Sequence, residues 1–343
     1  MFRRSPITHA HRLLLSLAFS ICCASAAHAQ YQTFVSAGGD DANACTRPAP
    51  CRTFAGAIPK TANRGEVVVL DSGEYGPFTV TGSIKITAVG VYAGVTVFDT
   101  AGVNVKPAAG SEIALRGLTI SGWSSSPGIV YEGPTVAREG EPTASLHVED
   151  CTLASLSIAG IYFKGNGDLF VKDTTVRDVL GNGIEVTAPP GQRARAALTN
   201  TRLEKTHWGL SAHGAGGVNV TARDTISSGN KNGGFLAHGS SGVRVLLQDC
   251  VASNQSVGVR AYDSARVTAE GCALANLTLG VFVNNLGDVR LSNSTVTDCD
   301  IAIQNIMVNN VGAFGYVYTF NNNRVYGNTQ TVSGKWPMDA TQF

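Results

Sequence analysis

Seven side chains that can move a proton, hold a charge or stack on a ring recur in this chain at nearly matching intervals: Tyr162, Lys164, Glu185, His213, His238, Arg260 and Tyr262. Lys164 and Arg260 are candidate general bases if burial or a nearby cation lowers their pKa, with Glu185 as charge partner or cation ligand. Tyr162, His213, His238 and Tyr262 offer apolar ring surface together with polar tips, a combination suited to sugar rings and their hydroxyls. His207 and Trp208 lie just before Gly209 and extend the same binding set. These residues can act together only if the fold brings positions more than twenty apart to one surface.

A repeat does that. From Leu146 onward the chain cycles through a short alternating strand, a polar turn residue, a mixed stretch, then Gly and a second short strand. The turn residue is Asp150, Asp173, Asn200, Asp224, Asp249, Gly271 and Asn293. The Gly is Gly160, Gly183, Gly209, Gly234, Gly258 and Gly280, with Ala302 closing a series spaced 23, 26, 25, 24, 22 and 22 residues apart. Gly117 and Gly128 extend the series backwards, and Val67–Leu70, Phe78–Val80, Ile84–Ile86 and Val95–Phe98 read as looser early turns. Helical solenoids need longer periods and helices of about ten residues, and propeller blades need roughly forty residues. The pattern predicts an all-β fold, a single-stranded parallel β-helix of about ten coils, stacked ~4.8 Å apart so that equivalent residues form columns. Alternation points Val, Ile and Leu inward.

Counting from each Gly, one outward column runs Val130, Tyr162, Glu185, Ser211, Leu236, Arg260, Phe282, Gln304. The next runs Glu132, Lys164, Thr187, His213, His238, Tyr262, Asn284, Ile306. The insertions Gly133–Ala144 and Ala188–Arg195 leave the same strand and are expected to overhang the corner near Lys164 and His213. On another face Asn219, Arg244, Arg266 and Arg290 suggest a column of guanidinium groups. It reads either as a solvated face relieved by Asp288, Glu270 or Gln248, or as a rail for acidic polymers. Cys151, Cys250 and Cys272 follow the turn position, where other coils carry Thr174, Thr201, Thr225 and Ser294. They read as small buried thiols, with a Cys250–Cys272 disulfide as the alternative and the state of Cys299 left open. The Asp/Asn column reads as structural, through bonds to local backbone.

The repeats, together with the opening Phe34-Val35-Ser36-Ala37-Gly38-Gly39-Asp40-Asp41-Ala42-Asn43, Cys51-Arg52-Thr53-Phe54 and Ala57-Ile58, resemble the right-handed parallel β-helix of the pectate-lyase-like superfamily. The resemblance implies a short N-terminal capping helix, here within Thr53–Ala62 and limited by Pro59. It also implies a polysaccharide ligand and a lyase-like use of Lys or Arg, with Ca²⁺ as a compatible cofactor. The sequence departs from the superfamily's activity patterns. It lacks the Trp-Ile-Asp-His and Arg-x-Pro-x-x-Arg runs of pectate lyases and the Asp-Pro-His-Asp of alginate epimerases, and its coils carry no Asn-Thr-Asp, Asp-Asp and Gly-His-Gly series of the hydrolases, Asp40-Asp41 lying in the N-terminal opening. Two functions therefore stand: a polysaccharide-binding or polysaccharide-modifying β-helix, and a non-catalytic cell-surface, structural or adhesin-like one.

Residues 1–29 read as a signal peptide, with Arg3, Arg4 and Arg12 before the apolar run Leu13–Cys23 and Ala27-His28-Ala29 before Gln30. The run is short for a membrane span. Export predicts a secreted or periplasmic protein with no span after cleavage, and an oxidising compartment. Cys45 and Cys51 bracket Thr-Arg-Pro-Ala-Pro and are expected to form a disulfide. Residues 30–64 read as the cap segment, 65–330 as the β-helix and 331–343 as a C-terminal tail. With 43% hydrophobic residues, 15% charged residues and a net charge of +1, the composition excludes a disordered chain. The balance shows no basic excess of the kind that would point to nucleic acid, and neither Cys-x-x-Cys spacing nor a His partner suggests a metal.

Overall fold

The computed structural model describes residues 29–134, 143–239, 242–307, 313–320, 322–335 and 338–339. The apolar leader within 1–28, most of the Gly133–Ala144 insertion and much of the tail lie outside these residues. The chain winds into a parallel β-solenoid of about 10 coils, every strand pairing in parallel with its equivalent one coil on. Among the described residues one thirteen-stranded sheet forms a single face. The other strands form a continuous nineteen-stranded assembly that covers the remaining two faces.

Alternation builds the core. On the first face Ile113, Leu146, Leu169, Ala196, Val220 and Val245 succeed one another inward through consecutive coils. On the site face Ile161, Ile184, Leu210, Phe235, Val259 and Val281 do the same. All are buried, in one contiguous cluster running from Val35 to Val317.

Two columns of special backbone shape each coil. Asp150, Asp173, Asn200, Asp224, Asp249 and Asn293 all have φ between 48° and 53°, the left-handed region, and Gly271 joins them at 64°. Backbone shape thus explains the column more directly than side-chain bonding does, and it explains the glycine exception, since Asn, Asp and Gly are the residues that enter this region at least cost. The repeated Gly column has another cause. A Cβ at Gly160, Gly183 or Gly258 would stand 2.6 Å from the carbonyl oxygen of the next Gly in the column, too close for any side chain.

The thiol column stays reduced: Cys151, Cys250 and Cys272 are free and buried, as is Cys299 outside the column. The Cys250–Cys272 disulfide alternative is therefore not adopted. Their thiols instead bond back to carbonyls two residues earlier, Cys250 to Gln248 and Cys272 to Glu270.

At the N-terminus the cap is smaller than Thr53–Ala62. The helix covers only Phe54–Ala57, capped by Thr53, and Pro59 turns the chain into a 3₁₀ turn, Ile58–Lys60, before strand Thr61–Val69 begins. Asp41 accepts from the backbone N–H of Arg52 and Thr53 and from the Thr53 hydroxyl, fixing this corner. The Cys45–Cys51 disulfide is formed, with Cα atoms 4.6 Å apart. Strand Gln30–Val35 already pairs with Thr61–Val69, so the cap segment merges with the first coil. At the other end strand Gln330–Gly334 pairs with Thr295–Asn305, carrying the solenoid past residue 330.

Candidate functional site

Strand pairing sets both outward columns in the predicted register. Val130, Tyr162, Glu185, Ser211, Leu236, Arg260, Phe282 and Gln304 are successive partners. So are Glu132, Lys164, Thr187, His213, His238 and Tyr262.

The centre of the site is a file of parallel rings. His213 stacks on His238 with centroids 4.8 Å apart, and His238 stacks on Tyr262 at 4.9 Å, with planes within 9°. These separations equal the coil spacing, so the rings sit directly above one another. Arg260 continues the file, its guanidinium 4.6 Å from the Tyr262 centroid and 4.7 Å from that of Phe282. Cation–π contacts on both sides hold it in place. Its Nε is buried without a hydrogen-bond partner, as is Oδ1 of neighbouring Asn284.

At the other end Glu185 anchors the file. Its Oε1 lies 2.8 Å from His213 Nε2, and its Oε2 accepts from Asn182 Nδ2 at 2.8 Å. Thr187 Oγ1 stands 3.4 Å from His213 Nδ1. Burial alone would raise the Glu185 carboxyl, but the hydrogen bonds from His213 and Asn182 outweigh it and hold the pKa below the ordinary value. Burial, with the neighbouring His213 ring and the Arg260 guanidinium, lowers His238. Burial also raises Tyr262 and lowers Arg260. The arrangement is a carboxylate-oriented imidazole, followed by a second imidazole biased to the neutral form and a desolvated cation.

Not every sequence candidate joins this group. Lys164 is exposed and two coil steps from His213 along their column. Glu185 is three steps from Arg260, ~14 Å at the spacing of parallel strands, and is engaged by His213 and Asn182. Lys164, Glu185 and Arg260 therefore do not converge as one catalytic group. Tyr162 lies one step from Glu185 and is raised by burial and by the Glu185 and Glu132 carboxylates. His207 bonds Asn232 at 2.8 Å on the neighbouring edge.

Trp208 is a correction. It is only 6% exposed and packs with Leu236 and Val257, against Tyr262, Leu279 and Phe282. It supports the file from the side and offers a ligand almost no ring surface. Pairing places it opposite Gly233, where a Cβ would meet the indole at 2.4 Å.

Two further expectations change. Arg193 and Arg195 are not in an overhanging loop: strand Arg193–Thr199 begins at once, with Ala194 and Ala196 inward, and Arg195 bonds Asp168 on the first face. The guanidinium column ends at Arg266, whose partner is Asp288 rather than Arg290. Asp288 bonds both Arg266 at 2.8 Å and Arg290 at 3.1 Å, so the charges are paired in place. Among the described residues no three His, Cys, Asp or Glu side chains stand together as a metal-ligand group.

Asn182, Phe282 and Asn284 were not singled out from sequence. Phe282 and Asn284 already stood in the two outward columns, and their positions beside Arg260 and Tyr262 were the available signal. Asn182 is three residues before Glu185, and nothing in the period marks it.

No curated protein matches the sequence. Among solved structures the chain is similar to pectate lyase Pel9A, with a TM-score of 0.52 and 13% identity over 89% of this chain and 78% of that one. It is also similar to the A-module of the Azotobacter vinelandii mannuronan C-5 epimerase AlgE6, with a TM-score of 0.50 and 13% identity over 84% of this chain and 94% of that one. The periplasmic alginate epimerase AlgG gives a TM-score of 0.50 and 14% identity over 80% and 75% of the two chains. At these identities the likeness is one of fold. A family profile described as "Right handed beta helix region" matches residues 159–330, which include every residue of the site. With half the chain matched and the coils stacked as described, the chain belongs to the right-handed β-helix family.

Proposed function

We propose that the face running from Tyr162 to Phe282 binds a polysaccharide and that Glu185 and His213 give it an acid–base centre able to modify one. The observation that carries this reading is the continuous file Glu185–His213–His238–Tyr262–Arg260–Phe282. A polymer laid along the solenoid meets a ring at each of three successive coils, followed by a cation suited to a carboxylate. The unpartnered Arg260 Nε and Asn284 Oδ1 are polar atoms that a ligand can satisfy.

The division of labour differs from a lyase-like scheme with Arg260 or Lys164 as base. Glu185 orients the His213 imidazole, the role a carboxylate plays beside a catalytic histidine. His213 then takes or gives the proton, and Arg260 holds substrate charge. The solved pectate lyase and alginate epimerases are named for uronate polymers, which makes polygalacturonate and alginate the first substrates to try. Both Glu185 oxygens already accept hydrogen bonds, so a role for Ca²⁺ there would require displacing His213 or Asn182. A secreted or periplasmic location agrees with the leader and with the Cys45–Cys51 disulfide.

The test is titration calorimetry with both polymers, with and without Ca²⁺, followed by ultraviolet detection of unsaturated ends and NMR of uronate epimers. His238→Ala/Tyr262→Ala is expected to weaken binding at least ~10-fold, a loss of about 1.4 kcal/mol. Glu185→Gln and His213→Ala are expected to abolish product while retaining polymer. Binding without product removes the catalytic half of the reading and leaves a binding module. No polymer binding at all removes both.

A further inference from the structure

The thirteen-stranded face of the solenoid carries a second ring stack that stops short. In the outward column Ala114, His147, Phe170, Ala197, Thr221, His147 and Phe170 are partners on adjacent coils. Their rings stack with centroids 4.6 Å apart and planes 18° from parallel. His147 covers one face of Phe170. The other face looks along the column to Ala197, which fills the next position with a single methyl group. Phe170 is consequently 40% exposed.

The missing ring leaves a hollow of about 360 Å³ lined by Asp168, Leu169, Phe170, Arg195, Ala196 and Ala197. That volume lies within the ~300–1,000 Å³ range of small-molecule sites. One wall is polar and already organised. Arg195 Nε and Nη2 bond the two oxygens of Asp168 at 2.5 and 2.8 Å, and Nη2 also reaches Thr143 Oγ1 at 3.3 Å. Thr143 itself donates to Asp168 Oδ2 at 2.7 Å. A guanidinium carries five N–H donors, and these contacts leave two unused. Ion pairing cancels the net charge of this wall, so it can offer hydrogen bonds without selecting an ion.

We infer that this hollow is a sugar subsite, separate from the Glu185–Phe282 face, that takes one uncharged pyranose ring of a neutral glycan. The ring would lie over Ala197 at the next stacking step, its apolar face on Phe170 and its hydroxyls on Arg195 and Asp168. An aromatic platform with a charge-balanced hydrogen-bonding edge matches a pyranose, which has one face of C–H groups and a rim of hydroxyls. A uronate would gain little here, because its carboxylate meets Asp168 as well as Arg195.

The experiment is titration of the full chain with cellohexaose, mannohexaose and hexagalacturonate. Neutral oligomers are expected to bind, and Phe170→Ala to weaken them at least ~10-fold. Ala197→Phe fills the hollow with the absent ring and is expected to do the same. Because it removes no core contact, it keeps the test valid if Phe170→Ala fails to fold. His238→Ala/Tyr262→Ala is expected to leave neutral binding within about twofold, which separates this site from the proposed polymer face. No saturable binding of either neutral oligomer up to roughly 10 mM, or binding that survives both hollow variants, overturns the inference. A preference for hexagalacturonate at the hollow does so too.

Discussion

Replacing Gly183 by Ala isolates the physical reason for the glycine column. The new Cβ would stand 2.6 Å from the carbonyl oxygen of Gly209 and 3.4 Å from Thr206 Cγ2. The first neighbour is backbone and cannot swing away. Relief requires two coils to part by about 0.5 Å, against a hydrogen-bonded spacing of ~4.8 Å. Forcing one extra carbon into a closely packed site costs about 1–3 kcal/mol. The strain falls two residues from Glu185, so the 2.8 Å contact with His213 should loosen and polymer affinity should drop with stability. Gly38→Ala is the control, because nothing lies within 4 Å of its added Cβ, and its effect should stay within about 0.5 kcal/mol. Urea unfolding followed by circular dichroism, with midpoint and slope compared at equal protein concentration, measures both. Equal midpoints for Gly183→Ala and Gly38→Ala would show that carbonyl approach does not dictate the column.

Acidification should destabilise the fold through two groups of the same sign. The lowered His238 pKa means that the unfolded chain takes up a proton below its ordinary value of 6.5 that the folded chain resists. The lowered Glu185 pKa gives stabilisation that is full above the ordinary carboxyl value of 4.5 and is lost as pH falls through the folded value. Melting temperature should therefore rise from acid toward neutrality, with a shallower slope in Glu185→Gln/His238→Gln; an unchanged slope counts against both assignments. Asp224, with φ 49°, should tolerate Gly and lose about 1 kcal/mol as Ala, a difference readable from paired thermal melts. Replacing Cys45 and Cys51 by Ser should cost about 2 kcal/mol through loop entropy, with proteolysis beginning near the cap rather than in the central coils.

Much of the architecture was legible because alternation and period are properties of residue order. Once Gly160 through Gly280 were aligned, the partners of Glu185, Leu236 and Arg260 followed without knowledge of any side-chain position. The failures arose where a local irregularity shifted the count or where direction mattered. Spacing alone predicts Arg290 in the Arg266 column, but the strand after Asn284–Gly287 starts at Asp288, which takes that position. Trp208 precedes the column glycine and points outward, yet Leu236 and Val257 cover it, and burial of an outward residue by its own neighbours leaves no trace in the period. The Glu185–His213 bond crosses one coil and depends on rotamers. The period placed the two residues in neighbouring columns and could go no further.

The glycine column also bears on how such a chain changes length. Each Gly fits only against the carbonyl of its counterpart one full turn away, so the steric rule closes on itself after 22 to 26 residues. A duplication or deletion spanning a whole turn leaves every remaining contact of this kind satisfied, whereas a partial one drives a side chain into a carbonyl. Genetic variation in this chain should accordingly be tolerated in whole coils. The reach of its ring file along a polymer would then grow or shrink in discrete increments of ~4.8 Å.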